Sequence, residues 1–241
     1  MQDFPPPDVE DFAGRLGQAM RRHPYDVALD RARRLVNERR FALGVQLVAL
    51  HRDSLAIAGD YARVAEGALV ALASAAVAEF EAAHGRIPGG ELLILGLGRL
   101  GGSALTHASD LDLIYLYTGE PGVPSDGPRP LGPADYFNRL ASRVTAALSV
   151  PTAAGPLYEV DLRLRPQGEK GMLAVPLGGF AQYQREEAWT WEHMALCRAR
   201  PVFGSPAGRE RVAALLREIL CRPREAKQIA ADAARLRADM E

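Results

Sequence analysis

The sequence predicts an α+β fold: a small mixed sheet carrying acidic residues, with helical segments before and after it. Three observations carry this. Both flanks space their apolar residues as helices do. Two apolar runs, Leu92–Leu95 and one starting near Leu111 and ending at Tyr117, are joined by a glycine-rich turn and a short loop. Residues 157–165 alternate polar and apolar side chains with the period of a strand. The expected divisions are a helical segment over 1–88, a core over 89–176 and a second helical segment over 177–241.

Residues 1–7, with Pro5-Pro6-Pro7, read as a loose tail. Asp8 is placed to cap a short helix that ends near His23-Pro24. A long helix follows from Asp26 to about His51, with Leu35, Phe41, Val45 and Val48 as its apolar face. Gly59-Asp60 opens a third helix with Asp60 as cap; Val64, Leu69, Leu72, Ala76 and Phe80 form its apolar side, and Gly85 stops it. These helices hold no catalytic cluster and read as packing. Pro88-Gly89-Gly90 breaks the chain ahead of the first strand. Gly119 to Gly132 is a Gly/Pro-rich loop, expected to be mobile. Pro133 suits the first turn of a helix that buries Tyr136, Phe137, Leu140, Val144 and Leu148. After Gly155-Pro156, Leu157, Glu159, Asp161, Arg163 and Arg165 share one face of a strand and Tyr158, Val160, Leu162 and Leu164 the other. Met172–Val175 is a short strand. From Leu177 the pattern is helical to the end, with breaks at Pro201–Pro206 and Pro223. No stop signal closes the last helix, so the chain is expected to be part of a longer one.

Composition narrows the function classes. A hydrophobic content of 48% with 24% charged residues describes a soluble globular chain. A net charge of -1 excludes a bulk nucleic-acid binder. Only Lys170 and Lys227 are lysines among the 29 basic residues, so an isolated arginine carries little functional information. Cys197 and Cys221 form neither a disulfide framework nor a zinc pattern and are expected to be reduced, part-buried thiols. There is no signal peptide, and Glu66, Glu79 and Glu81 break the Ala-rich run 65–83, which is not a membrane span. A cytoplasmic protein without membrane or nucleic-acid partners is expected.

The chemistry concentrates between Leu92 and Tyr117. Gly96, Gly98 and Gly101 after a strand invite a dinucleotide-binding reading. That reading needs a helix after the glycines and an acid at the end of the next strand. Here the next strand comes too soon, and the acids stand at its start. The alternative is a metal-dependent nucleotidyl-transfer site. Asp110 and Asp112 are two apart on a strand and point to one face. Asp161, on the polar face of another strand, is the best third acid. Three converging carboxylates are costly unless cations neutralise them. Mg²⁺, as two ions, suits the set, because it takes a few carboxylates and completes its shell with phosphate and water. Gly101 and Gly102 would offer backbone N–H groups, and Ser109 a hydroxyl, to the β/γ-phosphates. Arg163 and Arg165 either bind triphosphate or pair with the carboxylates. Lys170 reads as solvated. Trp189 and Trp191 read as core, with a pocket wall as the alternative. His193 and Cys197 share a helix face without further ligands, which is not a metal site.

Three stretches, GLGRLGGSALTHASDLDLIYLY, LYEVDLRLRPQGEKGML and EEAWTWEHMALCRARPVFG, resemble the glutamine synthetase adenylyltransferases (glutamate–ammonia-ligase adenylyltransferases). The resemblance runs from about Glu38 to the C-terminus. It implies a polymerase-β-like nucleotidyltransferase core, Mg²⁺, and ATP as substrate. Members of that family have two related halves: one transfers AMP to a tyrosine of glutamine synthetase, the other removes it by phosphorolysis. By resemblance, Gly101 and Gly102 are the phosphate-binding glycines, Asp110 and Asp112 the metal-binding pair and Asp161 the third acid. The run Ala188 to His193 is more similar to the C-terminal, adenylylating half. The implied partners are glutamine synthetase and the PII signalling protein. One unit is present, without the deadenylylating half or the further helical bundle. Two alternatives stand beside AMP transfer: the deadenylylating reaction, and a non-catalytic docking domain for glutamine synthetase or PII.

Overall fold

The Ala-rich stripe becomes the central helix of the molecule. This computed structural model describes residues 6–21, 23–49, 52–223 and 225–240. The first residues of the expected tail, the His51 end of the second helix and Glu241 lie outside them. Helices α1 (Val9–Met20), α2 (Tyr25–Ala49) and α3 (Ser54–His84) form the N-terminal layer, with α3 against the other two. Asp8 caps α1 as expected, accepting from the Asp11 N–H at 2.9 Å. Helix α3 starts earlier than Gly59-Asp60. Asp53 caps it, accepting from the Ala56 N–H at 2.7 Å. Asp60 lies inside the helix, buried, where Arg63 one turn on neutralises it at 2.7 Å. Val64, Leu69, Leu72, Ala76 and Phe80 are buried as the spacing predicts, and Gly85, at φ +71°, ends the helix. By length and composition α3 could cross a bilayer, but here 61% of its most apolar window is buried inside the protein.

The expected apolar face of α2 is not its buried face. Phe41 and Val48 are each 75% exposed, and Leu35 and Val45 are exposed too. Ala28, Ala32, Val36 and Leu43 turn inward instead. This stripe meets α1 and α3, and the bulkier one is left on the outside. Helical spacing identifies a stripe, but not which stripe a neighbour covers.

Strands β1 (Leu92–Gly96) and β2 (Leu111–Tyr117) pair antiparallel, Leu92 opposite Tyr117 and Gly96 opposite Leu113. That pairing removes the dinucleotide reading, which requires parallel strands. Strands β3 (Val160–Asp161) and β4 (Ala174–Pro176) both run parallel to β2, one beside its start and the other beside its end. The long strand expected over 157–165 is thus reduced to two paired residues. Immediately after it, the Arg163 N–H donates to Asp161 Oδ1 at 2.8 Å and turns the chain away. A fifth strand, β5 (Arg200–Phe203), pairs antiparallel with β1, at the break expected over Pro201–Pro206, where no strand was expected. Pro201 hid it, since proline is tolerated only at an edge or a bulge, and β5 is the outer strand on its side of the sheet.

Alternation sorts the sheet's side chains between two cores. Leu92, Ile94, Leu111, Leu113, Tyr115 and Tyr117 belong with α3 and α5 (Pro133–Ser149). Tyr136, Phe137, Leu140, Val144 and Leu148 of α5 are buried as expected. Leu93, Leu95, Ile114 and Leu116 face α6 (Leu177–Glu186), α7 (Thr190–Leu196) and α8 (Pro206–Leu220). The final helix, α9 (Ala226–Met240), lies against α7. Trp189 and Trp191 are not core: they are 70% and 40% exposed, because His193 and Leu196 take the inward face of α7. Cys197 and Cys221 are exposed rather than part-buried. Each stands at the C-terminal end of a helix, past its buried face. The 119–132 loop, expected to be mobile, is fastened to the end of α3. Asp126 Oδ1 accepts from the Arg86 N–H at 2.7 Å, and the Gly127 N–H donates to His84 O at 3.1 Å.

Arg33 is a charged side chain that sits inside this frame without any exposure. Arg33 of α2 is buried, and its Nη2 donates to Ala147 O at 2.9 Å and Val150 O at 2.8 Å. These carbonyls end α5, where the helix dipole favours a cation. Burial lowers the guanidinium's pKa below its ordinary value, and Asp30 opposes that shift. Arg33→Met keeps the aliphatic volume but leaves both carbonyls unpaired. Urea unfolding is expected to show a loss of about 2–4 kcal/mol.

Candidate active site

The parallel pairing of β2 with β3 builds the site. Its register sets Leu111 beside Val160 and Asp112 beside Asp161. Asp110 precedes β2 by one residue, and one carboxylate oxygen from each of Asp110, Asp112 and Asp161 lies within 4.8 Å of the other two. Among the described residues these three form the cluster able to hold a metal ion. Asp110 and Asp112 belong to the parity of β2 that faces the C-terminal helices, just where its apolar residues give out. A cavity of about 490 Å³ opens beside them, lined by Asp110, Glu159, Asp161, Arg163 and Arg165.

The three acids are not equivalent. Asp112 is half-buried, and its carboxyl is raised above the ordinary range, first by burial and then by the charges of Asp110 and Asp161. Asp161 is held below that range, chiefly by Arg163. The Arg163 Nε donates to Oδ1 at 3.1 Å and Oδ2 at 2.9 Å, and Nη2 also donates to Oδ2. Of the two roles open to Arg163, ion pairing with a carboxylate is the one seen here. The donor set is all oxygen, acidic and open on one side, which fits a divalent cation such as Mg²⁺.

The glycine turn serves the site differently from expectation. It forms one helical turn, α4 (Gly98–Gly101). The Gly101 N–H closes on Leu97 O at 2.7 Å and the Gly102 N–H on Gly98 O at 3.1 Å. The N–H groups assigned to phosphate therefore hold the turn. Gly101 is required for approach: a Cβ there would lie 2.0 Å from Arg198 O. Ser109 is buried; its hydroxyl accepts from the Thr106 N–H at 3.0 Å and from Arg99 Nη1 at 3.2 Å. It ties the loop ahead of Asp110 instead of facing the cavity.

Three residues matter to the site beyond those the sequence assigned. Gly98, at φ +51°, touches Asp112: a Cβ would lie 2.0 Å from its Oδ2. The glycine was visible in the sequence, but its partner, fourteen positions on, was not. Arg40 of α2 donates to His107 O and, at 2.9 Å, to Leu157 O, and lies over the Tyr158 ring. It joins the backbones leading into Asp110 and Asp161. Arg200 of β5 donates to Leu100 O and Gly101 O, both at 3.2 Å, and pairs with Glu66 of α3 at 2.6 Å. It clamps the glycine turn to the core helix. No local signal marks either arginine, because their partners are distant in sequence.

Two carboxylates at the start of the second strand of an antiparallel pair, completed by an acid from a parallel neighbour, form an acidic site on a small mixed sheet, the α+β core that the resemblance implies. The chain belongs to the glutamate-ammonia ligase adenylyltransferase family, whose profile matches residues 3–215. A relative from Mesorhizobium japonicum, a bifunctional glutamine synthetase adenylyltransferase/adenylyl-removing enzyme, is 44% identical over 90% of this chain and 22% of its own length. A protein of the same description from Agrobacterium fabrum is 41% identical over 100% of this chain and 24% of its own. The chain thus spans about a quarter of the length of the curated relatives it matches.

The raised Asp112 carboxyl sets a pH dependence. Its ionisation opposes folding: the penalty is absent well below the unfolded carboxylate value, near 3.9, and complete above the folded one. Asp112→Asn is expected to raise the melting temperature by about 2–4 °C at pH 7. The gain should vanish near pH 3 when melting is followed by circular dichroism. Gly98→Ala pushes a methyl group against the same carboxylate. Calorimetric titration with Mn²⁺ is expected to show affinity reduced about tenfold or more.

Proposed function

We propose that this chain carries out transfer of AMP from ATP to a tyrosine hydroxyl of glutamine synthetase, in the cytoplasm. The observation that carries this reading is the convergence of Asp110, Asp112 and Asp161 beside an open cavity, in a chain of the adenylyltransferase family. The relatives named above act on glutamine synthetase by their description. The exposed Trp189 and Trp191, in the run that resembles the adenylylating half, support the forward direction. PII is the proposed regulatory partner on the same family grounds.

Asp110, Asp112 and Asp161 would hold Mg²⁺, which when bound supplies Lewis-acid neutralisation of triphosphate charge. The rest falls to the chain's own groups. The cavity's open side admits a side chain presented by another protein. Arg163 and Arg165 line it and meet phosphate oxygens there. A tyrosine hydroxyl, with a pKa near 10, must lose its proton as its oxygen attacks the α-phosphorus, while the bond from that phosphorus to the α,β-bridging oxygen breaks and pyrophosphate leaves. Asp161 is the carboxylate proposed to take it. While Arg163 is bound to Asp161 that carboxylate is a weak base, so proton uptake there requires the pair to open.

Incubation with α-labelled ATP and glutamine synthetase is expected to move label onto the synthetase, and Asp112→Asn to reduce the rate by about 10³-fold. Undiminished transfer by that variant would remove the site assignment. The relatives are also described as adenylyl-removing, which keeps a second reading in view. Phosphate-dependent ADP release from adenylylated glutamine synthetase, without forward transfer, would establish it. Binding to glutamine synthetase with neither reaction would leave a docking domain.

A further inference from the structure

We propose that Arg163 is an exchangeable place-holder for the metal, occupying Asp161 until metal and nucleotide arrive together and then moving to the triphosphate. The proposal rests on reading the three aspartates as a divalent-metal site. Asp161 Oδ1 accepts from the Arg163 N–H at 2.8 Å and Nε at 3.1 Å. Its Oδ2 accepts from Nε at 2.9 Å and from Nη2. A carboxylate oxygen offers two lone pairs. Three N–H groups, with Nε shared between the two oxygens, thus hold Asp161, and a cation that takes the carboxylate must displace the guanidinium.

The two partners differ in freedom. The Asp161 side chain is 14% exposed and stands in β3, whereas that of Arg163 is 73% exposed and lies beyond the strand. The carboxylate is thus held within the sheet, while the guanidinium is solvated. The guanidinium's half of the pair is solvated, so water can take over its donors when a cation replaces it on the carboxylate. The guanidinium does not have far to go. Arg163 lines the same cavity as Asp110 and Asp161, and its planar fork matches two phosphate oxygens as well as it matches a carboxylate. Phosphate drawing Arg163 away frees Asp161 for metal; metal on Asp161 expels Arg163 toward phosphate. The two ligands must then favour each other's binding by the same factor.

The test is calorimetric titration of the 241-residue chain with Mn²⁺ alone, and with Mn²⁺ at saturating α,β-methylene ATP. Arg163→Gln is expected to bind Mn²⁺ alone up to about fivefold tighter than the native chain. It is expected to bind the Mn²⁺–analogue pair about tenfold weaker. The mutual enhancement between metal and analogue should fall to what direct metal–phosphate contact alone supplies. Arg163→Lys keeps the charge without the fork, and should bind Mn²⁺ alone with an affinity between the native and Arg163→Gln values. If Arg163→Lys equals the native protein, the effect is long-range charge and the exchange is overturned. If Arg163→Gln binds Mn²⁺ no tighter while Asp112→Asn loses Mn²⁺ binding, the exchange fails and the metal site stands. If Asp112→Asn binds Mn²⁺ as the native chain does, the metal site itself is wrong and the exchange falls with it.

Discussion

Mutual repulsion among three carboxylates is the constraint that the rest of this structure answers. Their oxygens come within 4.8 Å of one another. At that separation each pair of charges repels by between about 1 kcal/mol in water and about 3 kcal/mol in a protein-like medium. Left to themselves the acids would move apart, and each is held by a different device. Asp112 is fixed by β2, whose neighbours on both sides are strands. Asp161 is held by parallel register against it. Asp110 follows a loop closed by Ser109, Thr106 and Arg99. Gly98 leaves room for the Asp112 carboxylate where any side chain would displace it.

Cations drawn from distant parts of the chain complete the frame. Arg40 joins the segments entering Asp110 and Asp161, Arg200 pins the glycine turn to α3 through Glu66, and Arg33 closes the end of α5. The N-terminal helices, which contain no catalytic cluster, thereby help set the geometry of the site. The C-terminal segment does so too, through β5. Arg163 belongs to a different group: it is exposed, it touches the site itself, and it stands on a turn rather than on a strand or helix. Acids held by strands beside a solvated cation suit the proposed passage of a charged substrate and product.

The sequence by itself determined the elements with a strong local signal. Apolar runs bounded by glycine and proline marked β1 and β2, and 3.6-residue spacing marked α3 and α5, because these patterns report burial on one face of a short segment. The two aspartates at the start of β2 and the acid on the 157–165 stretch were legible for the same reason: period-two alternation puts them on a definable face. Only the tertiary structure decided what depended on partners. It showed that α2 buries alanines and exposes Phe41 and Val48, since burial is settled by the neighbouring surface and not by the stripe. It revealed β5, whose pairing with β1 no local propensity could announce. It turned the Gly101 and Gly102 N–H groups and the Ser109 hydroxyl inward, because a backbone turn first satisfies its own hydrogen bonds. It also placed Arg163 on Asp161, where contact between opposite charges and chain reversal coincide. Local periodicity thus told which residues could converge; which of them did, and against what, was settled by contacts between segments that the chain order keeps apart.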